Sequence, residues 1–436
     1  MNKIKDRIKK FGDAVNGSSV QVKNDKVNIN LNFQNKGNIK YKENPDIRTR
    51  DEIKIDKKQK LVIENGEIEN FIWQPIADFE NHVFPSFIIA WASYEGDKEK
   101  DMGSSLGFQI QGTMPGTVFK WEIECTDKKY FNIDSGFIRY QYANSTLNFK
   151  PKIGWDFRYL TKHQTSAPVG IYFRLIDPLT GKKSERLVNI NLRSINDCMY
   201  YYDQASYRYL YTAYINEDHP EIDNILKEAL DTKMTDAFSG YQEGRRKVDL
   251  QIAAIWRVLH DRGFKYSSIT NNSGKGSNNV YAQTVRTFDN AIKTNQANCV
   301  DGTVVMASIL KRIGISTFMV IVPGHCFLGY YVDDPTNPQS SKEINYVETT
   351  AMSSTTYLTL SKSSLAKYNN TIQESLPRGA TLSDKNKAYY LQFLQAKKSG
   401  QRSYDEALEK DGINSITMLN VNEQRKYVKP IPVYYD

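Results

Sequence analysis

The sequence predicts an α+β protein: an all-β sandwich over residues 61–197, then a mixed helix-and-strand domain over 198–436, behind a basic extension of residues 1–60. Three observations carry that expectation. Within 61–197, short apolar runs alternate with polar residues at the two-residue period of a half-buried strand, with turn residues between them. Beyond Asn196-Asp197-Cys198 the hydrophobic period switches to the 3.6 residues of a helix. After Gly314 strand-like runs return. With 436 residues, 40% of them hydrophobic, the chain is long enough to bury more than one sizeable core.

In chain order, Ile4, Ile8, Phe11 and Val15 recur at helical spacing among Lys and Arg, which predicts a short basic helix. Four apolar residues make a thin stripe, so residues 1–15 offer at most a weak membrane-surface contact. Val20, Val22, Val27, Ile29, Leu31 and Phe33 alternate around Lys23-Asn24-Asp25-Lys26 as in a hairpin, and the Lys/Asn/Asp-rich residues 35–60 read as a linker. Leu61-Val62-Ile63, Gly107 to Ile110, Val118 to Ile123, Ile171 to Leu175 and Leu187 to Ile190 are strands of a sandwich of about seven. Ile222, Ile225, Leu226, Ala229 and Leu230 form a helix stripe after Pro220, a good first-turn residue. Leu250, Ala253, Ala254, Trp256, Val258 and Leu259 form a second, stopped by Gly263. The polar stretch Ser267 to Asn279 has the length of a functional rim or lid. The tail from Asp384, helical through Tyr389, Tyr390, Phe393 and Leu394 and extended over Ile416 to Val421, reads as cover on the second domain.

Charge and cysteine usage exclude several function classes. Residues 1–60 carry 16 Lys+Arg against 8 Asp+Glu, which is the whole net charge of +8; the rest of the chain balances. A nucleic-acid binder carries its basic face on the folded body, so nucleic acid is not an expected partner. The longest wholly apolar runs, Phe87 to Ala92 and Phe318 to Val322, fall far short of the ~20 residues of a spanning helix. Charges continue from Met1 through Lys10 without an apolar segment, so no signal peptide is legible. The expected compartment is the cytoplasm; a processed N-terminus would instead suit a secreted or periplasmic protein. Cys125, Cys198, Cys299 and Cys326 are too few and too scattered for a disulfide framework or a CxxC zinc pattern. No metal or organic cofactor is expected.

The chemistry concentrates after Asn298. Asn298 to Gly314 reads as one helix, with Asn298 as N-cap, Asp301 placed as in a capping box and Gly314 as the stop. Cys299 then falls in the first turn, where unpaired N–H groups and the positive end of the helix dipole favour a thiolate and can hold an oxyanion. Asp301 acts against that thiolate unless it bonds back to the capping backbone. Next come a buried-type strand, Ser316 to Val322, a Pro323-Gly324 turn, and His325 opening the strand Cys326 to Val332. A third strand, Glu343 to Val347, ends in Glu348-Thr349-Thr350. An antiparallel hairpin sets His325 at its turn end, and a neighbouring strand brings Glu348 behind the ring: a base beside the thiol, and an acceptor that orients the base. A lone cysteine is more often a small buried hydrophobe; the helix start before Cys299 and the two motifs after it favour a nucleophile.

Gln296-Ala297-Asn298-Cys299-Val300-Asp301-Gly302, Val322-Pro323-Gly324-His325 and Tyr346-Val347-Glu348-Thr349-Thr350 resemble the transglutaminase-like cysteine superfamily, nearest to bacterial members that add a β-sandwich domain. Asn216-Glu217-Asp218-His219-Pro220 and Gln283-Thr284-Val285-Arg286 support the likeness, which covers residues 195–350 well, 61–195 weakly and 1–60 not at all. It implies a papain-like catalytic domain over 198–436 with Cys299, His325 and Glu348 as a catalytic triad. The departure is Glu348, where the superfamily more often has Asp; the carboxylate is one methylene longer. The implied reaction is acyl transfer on an amide of a protein or peptide substrate, of peptidase, amidase or transglutaminase type. The superfamily also holds members without activity, so a non-catalytic peptide- or glycan-binding protein that keeps the fold is the alternative.

An oxyanion needs a second donor besides the Cys299 N–H, and Gln283 and Tyr266 are the candidates ahead of the helix. Arg286 is expected to pair with an acid such as Asp289. Cys326 points to the strand face opposite His325 and reads as core. His82, His163, His219 and His260 have no partner visible in sequence and are assigned to structure.

Overall fold

The computed structural model describes residues 19–23, 26–30, 64–95, 98–101, 105–267 and 279–434. The expected helix within residues 1–15, the linker over 35–60, the strand Leu61-Val62-Ile63 and most of the polar stretch from Ser267 lie outside these residues. The architecture is mixed α+β, with several separate sheets. Among the described residues no helix is long and apolar enough to cross a membrane. Ser19–Lys23 and Lys26–Asn30 pair antiparallel with Lys23 opposite Lys26.

The β-rich half holds two facing sheets. One runs in the order Ile133–Arg139, Val118–Cys125, Ala167–Ile176, Lys182–Leu192 and Glu64–Asn65, with His82–Val83 also pairing onto Lys182–Leu192. The other runs Thr146–Phe149, Leu106–Gly112, Phe71–Ala77. Alternation decides which side of each strand is buried. In Val118–Cys125, Phe119, Trp121, Ile123 and Cys125 are buried while Lys120, Glu122 and Glu124 lie on the wetter face. Edge-to-face ring pairs lock the two inner faces together: Phe71 on Phe119 at 4.8 Å and Phe108 on Phe173 at 5.7 Å between centroids.

Beyond Cys198 the structure departs from the helical period read in the sequence. Asp197–Tyr202 is a strand, paired antiparallel with Val280–Thr284, and regular helix starts only after the 3-10 turn Arg208–Tyr214. The run Met199-Tyr200-Tyr201-Tyr202 has no polar alternation; it pairs locally with Ala205–Ser206 and, far along the chain, with Val280–Thr284, and local pattern could not reveal the second pairing. The helices Glu221–Asp231, Arg245–Asp261, Phe288–Thr294, Cys299–Arg312 and Asp384–Asp411 then pack around a four-stranded antiparallel sheet. Its order is Ile344–Val347, His325–Tyr331, Thr317–Val322, Thr417–Asn420.

Helix Asp384–Asp411 lies directly on strand Ile344–Val347. A Cβ at Gly400 would sit 2.7 Å from both the Tyr346 carbonyl carbon and the Val347 nitrogen, so only glycine permits this approach. Tyr404, one turn on, stacks its ring on Tyr346 at 4.5 Å. The largest hydrophobic core runs from Ile68 to Ile431 through both halves, with smaller clusters around Phe327 and Leu391. The segment after Val428 closes it: Lys429 donates its N–H to the Ala90 carbonyl (2.9 Å) and Ile431 to that of Ala213 (2.7 Å).

Candidate active site

Cys299 is the first residue of helix Cys299–Arg312, and a complete capping box sets its position. Asn298 Oδ1 accepts the Asp301 N–H at 2.9 Å, and the Asn298 N–H donates back to Asp301 Oδ2 at 3.0 Å. The Asn298 side-chain amide also donates to the Thr284 carbonyl at 3.4 Å, tying the helix start to strand Val280–Thr284. Gly302 lets the helix approach the turn Thr349–Ser353: a Cβ there would meet Thr349 Oγ1 at 3.0 Å. The turn that follows Glu348 is thus pressed against the helix that carries Cys299.

His325 opens strand His325–Tyr331 after the Pro323-Gly324 turn, opposite Val322. Its Nε2 lies 2.5 Å from Glu348 Oε2. Nδ1 is then the nitrogen left for the thiol. Glu348, 8% exposed, caps the turn Thr349–Ser353, and its Oε1 accepts both the N–H (3.1 Å) and the hydroxyl (2.7 Å) of Thr350. Both carboxylate oxygens are therefore engaged, one by His325 and one by Thr350. Behind them the Glu348 N–H donates to the Ala396 carbonyl of the long helix at 3.0 Å.

The electrostatics follow from these contacts. The nearby Cys299 side chain, and then the Glu348 carboxylate, push the His325 ring up to about 10, against the opposing effect of burial. Burial raises the Glu348 carboxyl, but bonds from His325 and Thr350 outweigh it and hold the group below its ordinary value. The other three thiols are walled off by burial. Cys125, Cys198 and Cys326 are all buried, and burial pushes Cys125 up to about 11 and raises the other two well above the ordinary thiol value. Cys299 is half-exposed.

The candidate oxyanion donors differ in placement. Tyr266 lies on the short strand Lys265–Tyr266, opposite Ala297 and so two residues from Cys299, with nearly half its surface exposed. Burial raises its hydroxyl, with the charges of Cys299 and Glu348 adding to the effect. Gln283 lies on the strand that Asn298 bonds, and its Oε1 accepts the Tyr211 hydroxyl at 3.0 Å. That bond holds the amide by its oxygen.

Arg286 does not pair with Asp289. Its N–H donates to Asp301 Oδ1 at 2.8 Å and its Nη1 to Asp301 Oδ2 at 2.7 Å, while Asp289 meets Lys293 (2.8 Å) and His219 (3.5 Å). Asp301 is completely buried, and burial raises its carboxyl against the pull of Asn298 and Arg286. Cys326 is buried with its Sγ 3.8 Å from Thr303 Oγ1. His163 lies between the Tyr130 hydroxyl (2.8 Å) and the Leu192 carbonyl (3.1 Å), away from the site. Two residues escaped sequence reasoning. Thr350 had a signal, as the hydroxyl residue two places after an acid that opens a turn; Tyr211 had none.

No protein-family model, curated protein or solved structure matches the chain.

Proposed function

We propose that this protein carries out cysteine-nucleophile acyl transfer on an amide, with Cys299, His325 and Glu348 as its triad on a papain- or transglutaminase-like frame. One observation carries the reading: His325 Nε2 lies 2.5 Å from the Glu348 carboxylate, and the Cys299 side chain is the strongest influence raising that same ring. In the proposed reaction the Cys299 sulfur adds to the amide carbon. The oxyanion takes the Cys299 N–H group, which lacks an intrahelical partner in the first turn. The Gln283 amide, held through its oxygen by Tyr211, is the preferred second donor. His325 gives its proton to the leaving nitrogen as the C–N bond breaks, and a thioester remains. Water or an amine then adds to the thioester carbon, His325 takes its proton, and the sulfur leaves as thiolate. Glu348 holds the ring in one orientation throughout, as the acid of a triad does. The substrates proposed are peptide or protein amides.

Iodoacetamide labelling near neutral pH tests the proposal. Cys299 alkylates ahead of Cys125, Cys198 and Cys326, and His325→Ala slows it. Equal, slow labelling of all four thiols refutes the catalytic reading and leaves a binding protein.

A further inference from the structure

We infer that Arg286 is a positioning residue for Cys299: it neutralises the buried Asp301 carboxylate that the capping box places in the thiol's own helical turn. The inference rests on the reading of Cys299 as nucleophile. Asp301 is needed where it is, because its Oδ2 holds the Asn298 N–H and so fixes the helix start. That same carboxylate is fully buried two residues from Cys299. In a low-dielectric turn it competes with a thiolate for the positive end of the dipole, and like charges at such range act strongly against each other. The stabilising cap and the reactive sulfur therefore make opposite demands on one turn.

Arg286 reconciles them from outside the helix. It lies between strand Val280–Thr284 and helix Phe288–Thr294, and its backbone is held nearby by the Val285 N–H on the Asn196 carbonyl at 2.7 Å. It gives Asp301 two bonds, one from the backbone at 2.8 Å and one from the guanidinium at 2.7 Å, so carboxylate and cation form a neutral unit. The other titratable groups around Cys299 are His325 and Glu348 from the sheet side, Tyr266 from the strand beside Ala297, and the buried thiol of Cys326. Helix Phe288–Thr294 brings Asp289, already engaged by Lys293 and His219, and the turn Arg208–Tyr214 brings Arg208, bonded to Thr417. Lys311 and Arg312 lie at the far end of the Cys299 helix, on Glu217, Asp218 and Asp223. Among the described residues, Arg286 is the cation hydrogen-bonded to Asp301.

The test is the pH profile of Cys299 alkylation in the full chain, with iodoacetamide as probe and peptide mass spectrometry as readout. Arg286→Met is expected to slow labelling at neutral pH about tenfold and move the profile to higher pH. Adding Asp301→Asn removes the uncompensated charge and returns the rate toward wild type. A purely structural arginine gives no such rescue. Asp301→Asn alone leaves a cation beside the thiol and moves the profile to lower pH; it decides the matter if Arg286→Met does not fold. An unmoved profile in either single variant, or a double variant as slow as Arg286→Met, overturns the inference. A wild-type Cys299 no faster than the other three thiols defeats the nucleophile reading instead, and the shifts between variants still decide the role of Arg286.

Discussion

Gly400→Ala tests how tightly the long helix sets the strand that leads to Glu348. The new Cβ would lie 2.7 Å from two backbone atoms of Tyr346 and Val347, and 2.9 Å from the Tyr346 oxygen. Carbon contacts settle near ~3.5 Å, so helix and strand must separate by roughly 0.8 Å. The obstacle is backbone, which no rotamer change relieves, and overpacking of that kind costs up to about 3 kcal/mol. Alanine recovers about 1 kcal/mol of helix propensity, leaving a net loss of about 2 kcal/mol. Urea unfolding of the full chain reads it as a lower midpoint with an unchanged slope. The displacement should also reach the site. The Glu348 N–H donates to Ala396, one turn from Gly400, so Cys299 labelling slows as well. Lys398→Ala, exposed on the same helix, is the control and should change stability by no more than about 0.5 kcal/mol. A Gly400→Ala protein as stable as wild type, with undiminished labelling, refutes the close helix–strand contact as a support of the site.

Three further outcomes are expected. Thr350→Val keeps the N–H on Glu348 but removes the 2.7 Å hydroxyl bond; a loss of about 1 kcal/mol in carboxylate placement corresponds to roughly fivefold slower Cys299 labelling, and an unchanged rate counts against Thr350 as a support. Tyr211→Phe frees the Gln283 amide without touching the thiol, so iodoacetamide labelling holds while 4-nitrophenyl acetate turnover falls about tenfold; a parallel fall in both points to misfolding rather than to an oxyanion role. The pH dependence of stability has a definite sign. The folded His325 ring, raised to about 10 from an ordinary 6.5, binds a proton that the unfolded chain has lost between those values. Its contribution is full below the lower value and is lost as pH rises through the upper one. The urea midpoint of wild type minus that of His325→Gln should narrow across that interval, and a constant gap contradicts the pairing.

Local elements were legible because their signals are local. The helix from Cys299 carries its own cap in Asn298 and Asp301 and its own stop in Gly314, at φ 80°. The Pro323-Gly324 turn sets Val322 opposite His325 within a few residues of chain. Partners across the fold were not legible. Asp289 is the expected mate of Arg286 because it lies three residues on, yet the packed structure turns Asp289 toward Lys293 and His219 and takes Arg286 to Asp301. Asp197–Tyr202 finds its longer strand partner, Val280–Thr284, only after two helices have intervened. Periodicity states which face of an element is buried, not what buries it. Bringing the His325 strand, the Glu348 turn and the Cys299 helix together depends on side-by-side packing at Gly302 and Gly400, two glycines whose neighbours in sequence do not mark them as contact points.

Ribosomes deliver a polypeptide from its amino end, and here that direction has a consequence. Sulfur, imidazole and carboxylate all emerge before Ala396, whose carbonyl seats Glu348, and before Lys429, whose N–H on Ala90 ties the two halves together. A nascent chain halted just past Ser353 holds every reactive atom but lacks the scaffold that aligns them. Translation order itself delivers the supporting layer after the three side chains it aligns.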